Sequence, residues 1–169
     1  MNDDFIKDLI KSEIGGKFAA IHAYDKMIWT VRTGFLTLVF AAWALLIKTG
    51  LENKLSIAEM DSYIYLLSGF SLVLAIGGFK IDLNYARRKF RVIKAVNQLM
   101  KFICSPGQDN LNTDDRNKLT GLLQISGDAA NKEYRQPSFD NELNVSRIIY
   151  TVPALLITGI LIYAIIITR

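Results

Sequence analysis

Residues 148–168 read IIYTVPALLITGILIYAIIIT, twenty-one positions without a charge. A helix rises 1.5 Å per residue, so about 20 apolar residues cross the hydrocarbon core of a bilayer. The many β-branched residues do not argue for a strand. Lipid offers no partner for free backbone groups, and a single segment satisfies its own only as a helix. Two further runs have the same character: fifteen uncharged residues separate Arg32 from Lys48, and eighteen separate Asp61 from Lys80. The expected fold is therefore all-α, an integral membrane protein with three transmembrane helices at 28–48, 62–79 and 148–168. Residues 1–27 are expected to form a cytoplasmic amphipathic, helical leader, and 49–61 an outside loop that makes the first two spans an antiparallel hairpin. Residues 80–147 are expected to form a cytoplasmic basic helix followed by a helical and loop segment.

Composition agrees with this division. Of 169 residues 51% are hydrophobic, and the excess over a soluble domain is concentrated in the three runs. A single cysteine, Cys104, excludes a disulfide scaffold, and with the lone His22 it leaves too few soft ligands for a zinc site, so no metal or cofactor is expected. Direction follows from lysine and arginine asymmetry near the span ends. With the N-terminus cytoplasmic, seventeen of these cations lie inside, and only Lys48, Lys54 and Arg169 lie outside. Tyr63 and Tyr65 at one end and Trp29 and Tyr150 at the other occupy aromatic-belt positions. A cleaved signal peptide with its site at Ala42, Trp43 and Ala44 is disfavoured, because the first run begins only after a mixed-charge leader.

Between the runs, residues 2–14 carry helix-starting Asn2, Asp3 and Asp4, then Phe5, Ile6, Leu9, Ile10 and Ile14 along one face, predicting a short amphipathic helix before Gly15 and Gly16. It lies either on the membrane surface or against another cytoplasmic helix. Past Lys80, Ala86, Phe90, Ile93, Val96, Met100 and Ile103 form an apolar stripe beside Arg87, Arg91, Lys94 and Lys101, with Arg88 and Lys89 adding to the basic cluster. The stripe suits packing on the N-terminal neighbour, and also self-association near an anionic surface. Residues 105–113 read as a loop, Thr113, Asp114 and Asp115 as the start of a helix running through Ile125, and Pro137 as the end of whatever follows.

Chemistry is sparse. No nucleotide-binding, zinc-protease or serine-hydrolase motif occurs. His22 and Asp25 share a helical face, but nothing converges with them, so no catalytic residue is assigned. Cys104 is compatible with palmitoylation or with burial. The basic residues are explained by topology, so no direct nucleic-acid binding is expected. Arg32 is the one ionisable residue that lies within a span below the interface. Two destinations are open to it: the headgroups, reached by snorkelling, or a pore mouth or ion pair with Asp82 at a similar depth on the next span.

Small residues recur on helical faces: Gly34, Thr37, Ala41 and Ala44 in the first span, Ser68, Ser71, Ala75 and Gly78 in the second, and Thr151, Ala154 and Thr158 in the third. Small faces let membrane helices approach closely, so these predict helix packing within the chain, in a homo-oligomer, or both. Arg32, Lys80, Arg87, Arg88, Lys89, Arg91 and Lys94 form the expected membrane-interface set.

Residues 24–33 (YDKMIWTVRT) entering the first span, and Asp82, Leu83, Asn84 and Tyr85 leading into Arg87, Arg88, Lys89, Phe90 and Arg91, carry a resemblance. Over residues 5–103 the layout resembles small bacterial inner-membrane proteins of antiphage defence loci, namely two-transmembrane effector modules of nucleotide-signalling systems and membrane accessory proteins of RNA-targeting defence machinery. The third span and residues 105–147 depart from that two-span plan. The resemblance implies a multi-pass protein of the bacterial inner membrane that oligomerises and perturbs or permeabilises it when a cytosolic or membrane partner signals. The expected function is thus a non-enzymatic oligomeric effector or accessory protein. The alternative is a structural or scaffold subunit of a larger membrane complex.

Overall fold

A computed structural model describes residues 3–103 and 137–168. The expectations for Cys104, for the 105–113 loop and for the helix starting at Thr113 lie outside those residues. The described chain is all-helical: α1 (Asp3–Glu52), α2 (Asp61–Ile103) and α3 (Pro137–Thr168). Each contains an eighteen-residue window with mean hydropathy of 1.8, 1.8 and 2.2 in turn, and all three are long and apolar enough to cross a membrane. No more than 22% of any of these windows is buried, so the spans present most of their apolar surface outward, as helices solvated by lipid do.

Two helix boundaries differ from the sequence reading. Gly15 and Gly16 do not break the leader from the span, because α1 runs through them without interruption. A helical glycine costs about 1 kcal/mol, which fifty residues of otherwise continuous helix absorb. Pro137 starts a helix instead of ending one, and α3 begins eleven residues before Ile148. Proline is well suited to a first helical position, where its missing N–H has no intrahelical acceptor to serve. Pro153 lies inside α3, where it removes the N–H that would bond the carbonyl of Ile149.

The chain divides into two compact units, a membrane unit of Ile28–Leu83 with Glu142–Arg169 and a polar unit of Met1–Met27 with Asn84–Asn141. In the polar unit Phe90 packs edge-on against Phe139 with centroids 5.4 Å apart, and Tyr24 meets Tyr85 at 6.4 Å. Its buried α2 residues are Ala86, Phe90, Val92, Ala95, Val96 and Leu99, while Met100 is 44% exposed. The seam is therefore broader than the expected stripe and turned away from Met100.

In the membrane unit the core is Phe35, Val39, Ala75, Tyr150 and Ile157. Trp43 Nε1 donates to Ser71 Oγ at 3.2 Å, and Arg32 Nε donates to Asp82 Oδ2 at 2.9 Å. Numbers rise on α1 as they fall on α2, so these two helices are antiparallel. Arg32 meets Ser146 and Phe35 meets Tyr150, so α1 and α3 run parallel. Because the unpacked helices would remain in lipid, this core stabilises the unit by close packing and polar contacts; transfer of apolar area out of water contributes little.

The α1–α2 loop is tied by a reciprocal pair. The Glu59 carboxylate accepts from the Ser56 N–H at 2.7 Å and hydroxyl at 2.8 Å, and the Glu59 N–H donates to Ser56 Oγ at 3.3 Å. The Ser56 backbone bond, then the hydroxyl bond, hold the Glu59 carboxyl below the usual glutamate range. A depressed folded-state pKa means that this tie is fully present above the ordinary glutamate value and is lost as pH falls through the depressed one. A carboxyl NMR titration should place the Glu59 midpoint below that of a free glutamate, with Ser56→Ala moving it only part of the way back because the backbone N–H bond remains; an ordinary midpoint in the parent would remove this account of the loop.

Candidate functional site

The membrane unit is joined at one level by a buried charge cluster to which each helix contributes. On α1, Ile28, Arg32, Phe35 and Val39 recur at four, three and four residues and form the inward face. Arg32 therefore points among the helices, where it is 2% exposed. Its Nε donates to Asp82 Oδ2 on α2 (2.9 Å), and its Nη2 donates to Glu142 Oε1 (2.6 Å) and Ser146 Oγ (2.9 Å) on α3. The Ser146 hydroxyl in turn donates to the Glu142 carbonyl oxygen at 3.1 Å. Trp29, one turn before Arg32 and exposed, lies with its ring centroid 5.4 Å from the guanidinium carbon. Of the two destinations open to Arg32, the structure adopts the ion pair.

Guanidinium suits this place because its planar fork spreads donors over several acceptors, and it stays charged where an ammonium would tend to lose its proton. Asp82 is fully buried, and its Oδ1 has no hydrogen-bond partner among the described residues. Next to the cluster on α3, Tyr150 lies one turn beyond Ser146. Its ring is 4.8 Å from Phe35 and 6.0 Å from Phe79, and a β-carbon built on Gly78 would stand 2.7 Å from its Cε1. Gly78 is thus the point on α2 that admits the tyrosine ring.

The three small-residue stripes separate. On α2, Ser68, Ser71 and Ala75 are buried, and Gly78 receives Tyr150, so this stripe is the internal packing face. On α3, Ala154 and Thr158 are half-buried, while Thr151 is exposed. On α1, Gly34, Thr37, Ala41 and Ala44 are all exposed, and a β-carbon on Gly34 would meet nothing within 4 Å. The α2 stripe thus faces the interior of the unit, whereas the α1 stripe looks outward; bulkier Phe35 and Val39 are the buried residues there.

Of the basic set, Lys80, Arg87 and Arg88 are exposed and Arg91 and Lys94 half-buried. Lys89 bonds Asp25 Oδ1 at 2.6 Å. That ion pair takes the carboxylate the sequence set beside His22; His22 itself is exposed and forms no hydrogen bond with it. Among the described residues no group of three His, Cys, Asp or Glu side chains is placed to hold a metal. Sequence reasoning missed Glu142 and Ser146. They precede the uncharged run, and only an extension of the helical face of Tyr150 back by one and two turns would have found them.

Comparison with protein-family models, curated proteins and solved structures finds no match. The functional reading therefore rests on the geometry of this chain.

Proposed function

We propose that this chain is a non-enzymatic membrane protein that acts by self-assembly, a membrane effector or accessory protein whose N-terminus is cytoplasmic. The observation that carries the reading is the contrast between the two kinds of face in the membrane unit. The interior is closed by the Arg32 cluster and by Tyr150 in its Gly78 seat, while the small face of α1 at Gly34, Thr37, Ala41 and Ala44 is left bare. Small faces favour close helix approach in lipid, where bulk apolarity gives no preference for protein over acyl chain. The cytoplasmic orientation rests on the seventeen to three distribution of cations. The setting, an antiphage defence system of the bacterial inner membrane, rests on the resemblance of residues 5–103 alone.

The test is the mass of the protein expressed alone and held in nanodiscs, measured beside leakage from vesicles containing it. A discrete multiple of the protomer mass is expected. Because a β-carbon at position 34 meets nothing within 4 Å and Ala41 is exposed, Gly34→Leu with Ala41→Leu should leave the protomer's thermal unfolding within about 0.5 kcal/mol of the parent. The same double variant should lower both the oligomer mass and the leakage. A parent that is monomeric, or a variant with unchanged mass and leakage, would reject the assembly reading; the monomeric outcome favours a subunit of a larger membrane complex.

A further inference from the structure

The loop end of the membrane unit carries a feature that assembly through α1 does not use. α1 closes in a Schellman turn: the Asn53 N–H donates to the Thr49 carbonyl (3.1 Å), that of Lys54 to Leu51 (3.3 Å) and that of Leu55 to Gly50 (3.0 Å). The turn requires a left-handed residue just past the helix cap, a conformation that glycine adopts freely and that a β-carbon disfavours. Lys54 occupies it with φ 52°, and among the described residues it is the one non-glycine with positive φ. Gly50, two residues before the end of the helix, is buried for a different reason. A β-carbon there would stand 2.5 Å from Met60 Sδ, so Met60 seats directly on bare backbone.

Around this seat lie two apolar grooves of about 590 and 640 Å³, both lined by Leu46, Leu55 and Met60. Trp43, Ile160 and Tyr163 line the first, and its only charged lining residue is Lys54. The neighbouring cation, Lys48, is paired with Glu52 at 3.6 Å, and the Glu59 carboxylate is held by Ser56. No described carboxylate pairs with Lys54. A lysine therefore sits where the turn would accept glycine at no cost, and it places a cation at the lip of an apolar slot lined from all three helices. A backbone outlier of this kind points to a role for its side chain.

We propose that the first groove is a binding site for an anionic phospholipid, with one acyl chain along the apolar lining and the headgroup phosphate at the Lys54 ammonium. The occupant follows from the lining and the charge together: the apolar wall suits an acyl chain, and a lone cation at the mouth selects an anionic headgroup. The site does not depend on whether the protein self-assembles.

Trp43 is the reporter. In a Trp29→Phe background it is the one tryptophan left of two, and its fluorescence is read in phosphatidylcholine vesicles doped with brominated phosphatidylglycerol or with brominated phosphatidylcholine at equal mole fraction. One lysine at a lipid surface predicts about a fivefold higher association of the anionic quencher at Trp43. Lys54→Gly should bring that ratio to about one while the thermal midpoint in phosphatidylcholine alone stays equal or rises, because the substitution relieves the left-handed turn. Equal quenching by both lipids in the Trp29→Phe protein would overturn the site. So would an anionic preference that survives Lys54→Gly. A lowered midpoint in Lys54→Gly would overturn the claim that the lysine is kept there for its charge.

Discussion

Arg32→Met should lower the unfolding free energy of the membrane unit by about 3–5 kcal/mol, because it strands the fully buried Asp82 and the Glu142 carboxylate without their shared counter-charge. Loss of packing alone would be small, since methionine fills much of the stem's volume. The cost is that of an unpaired buried charge, and it should disappear when the charges are removed together. A triple variant, Arg32→Met with Asp82→Asn and Glu142→Gln, is expected to recover most of the lost stability, as replaced buried ion pairs commonly do. Arg32→Lys should fall between the two, since one ammonium cannot reach Asp82, Glu142 and Ser146 with the fork geometry that three distances of 2.6–2.9 Å record. Denaturation in bicelles distinguishes these outcomes. A single variant within 0.5 kcal/mol of the parent would show that Arg32 is solvated by headgroups and not by the helices.

The legibility of the fold and the illegibility of part of the site have one physical source. Spans are readable because bilayer thickness imposes a length, and the apolar runs 28–48, 62–79 and 148–168 meet it wherever they pack. Faces are not readable in the same way. In water a helix advertises its buried side by a contrast between apolar and polar residues, but in lipid both sides are apolar, so Gly34 and Thr37 on the outside and Phe35 and Val39 on the inside carry no such contrast. Small size is the remaining cue, and it coincides with burial at Ser68, Ser71 and Ala75 but not on α1, where Phe35 and Val39 are the buried residues. The charge cluster was half visible for a related reason. Arg32 and Asp82 border apolar runs at matching depth, whereas Glu142 lies in a polar stretch, where an acidic residue draws no notice until Pro137 is seen to start the helix that carries it.

Gly78→Ala is expected to destabilise the membrane unit by about 1–3 kcal/mol, although alanine is the better helix former by about 1 kcal/mol. The added methyl would stand 2.7 Å from Tyr150 Cε1, and the ring has little room to yield: Tyr150 is 3% exposed and lies between Phe35 and Phe79. Gly77 supplies the control, since a β-carbon at that position meets nothing within 4 Å, and Gly77→Ala should be neutral or slightly stabilising. A double-mutant cycle assigns the cause. Tyr150→Val removes the ring and is itself destabilising through the cavity it leaves. On that background the methyl of Gly78→Ala enters vacated space, and its effect should shrink to zero or change sign. The resulting interaction energy, about 1–3 kcal/mol, lies beyond the 0.3–0.5 kcal/mol within which independent sites add. Additive losses would mean that the tyrosine ring is not seated on Gly78, and that close approach of α2 and α3 at this level does not hold the three spans together.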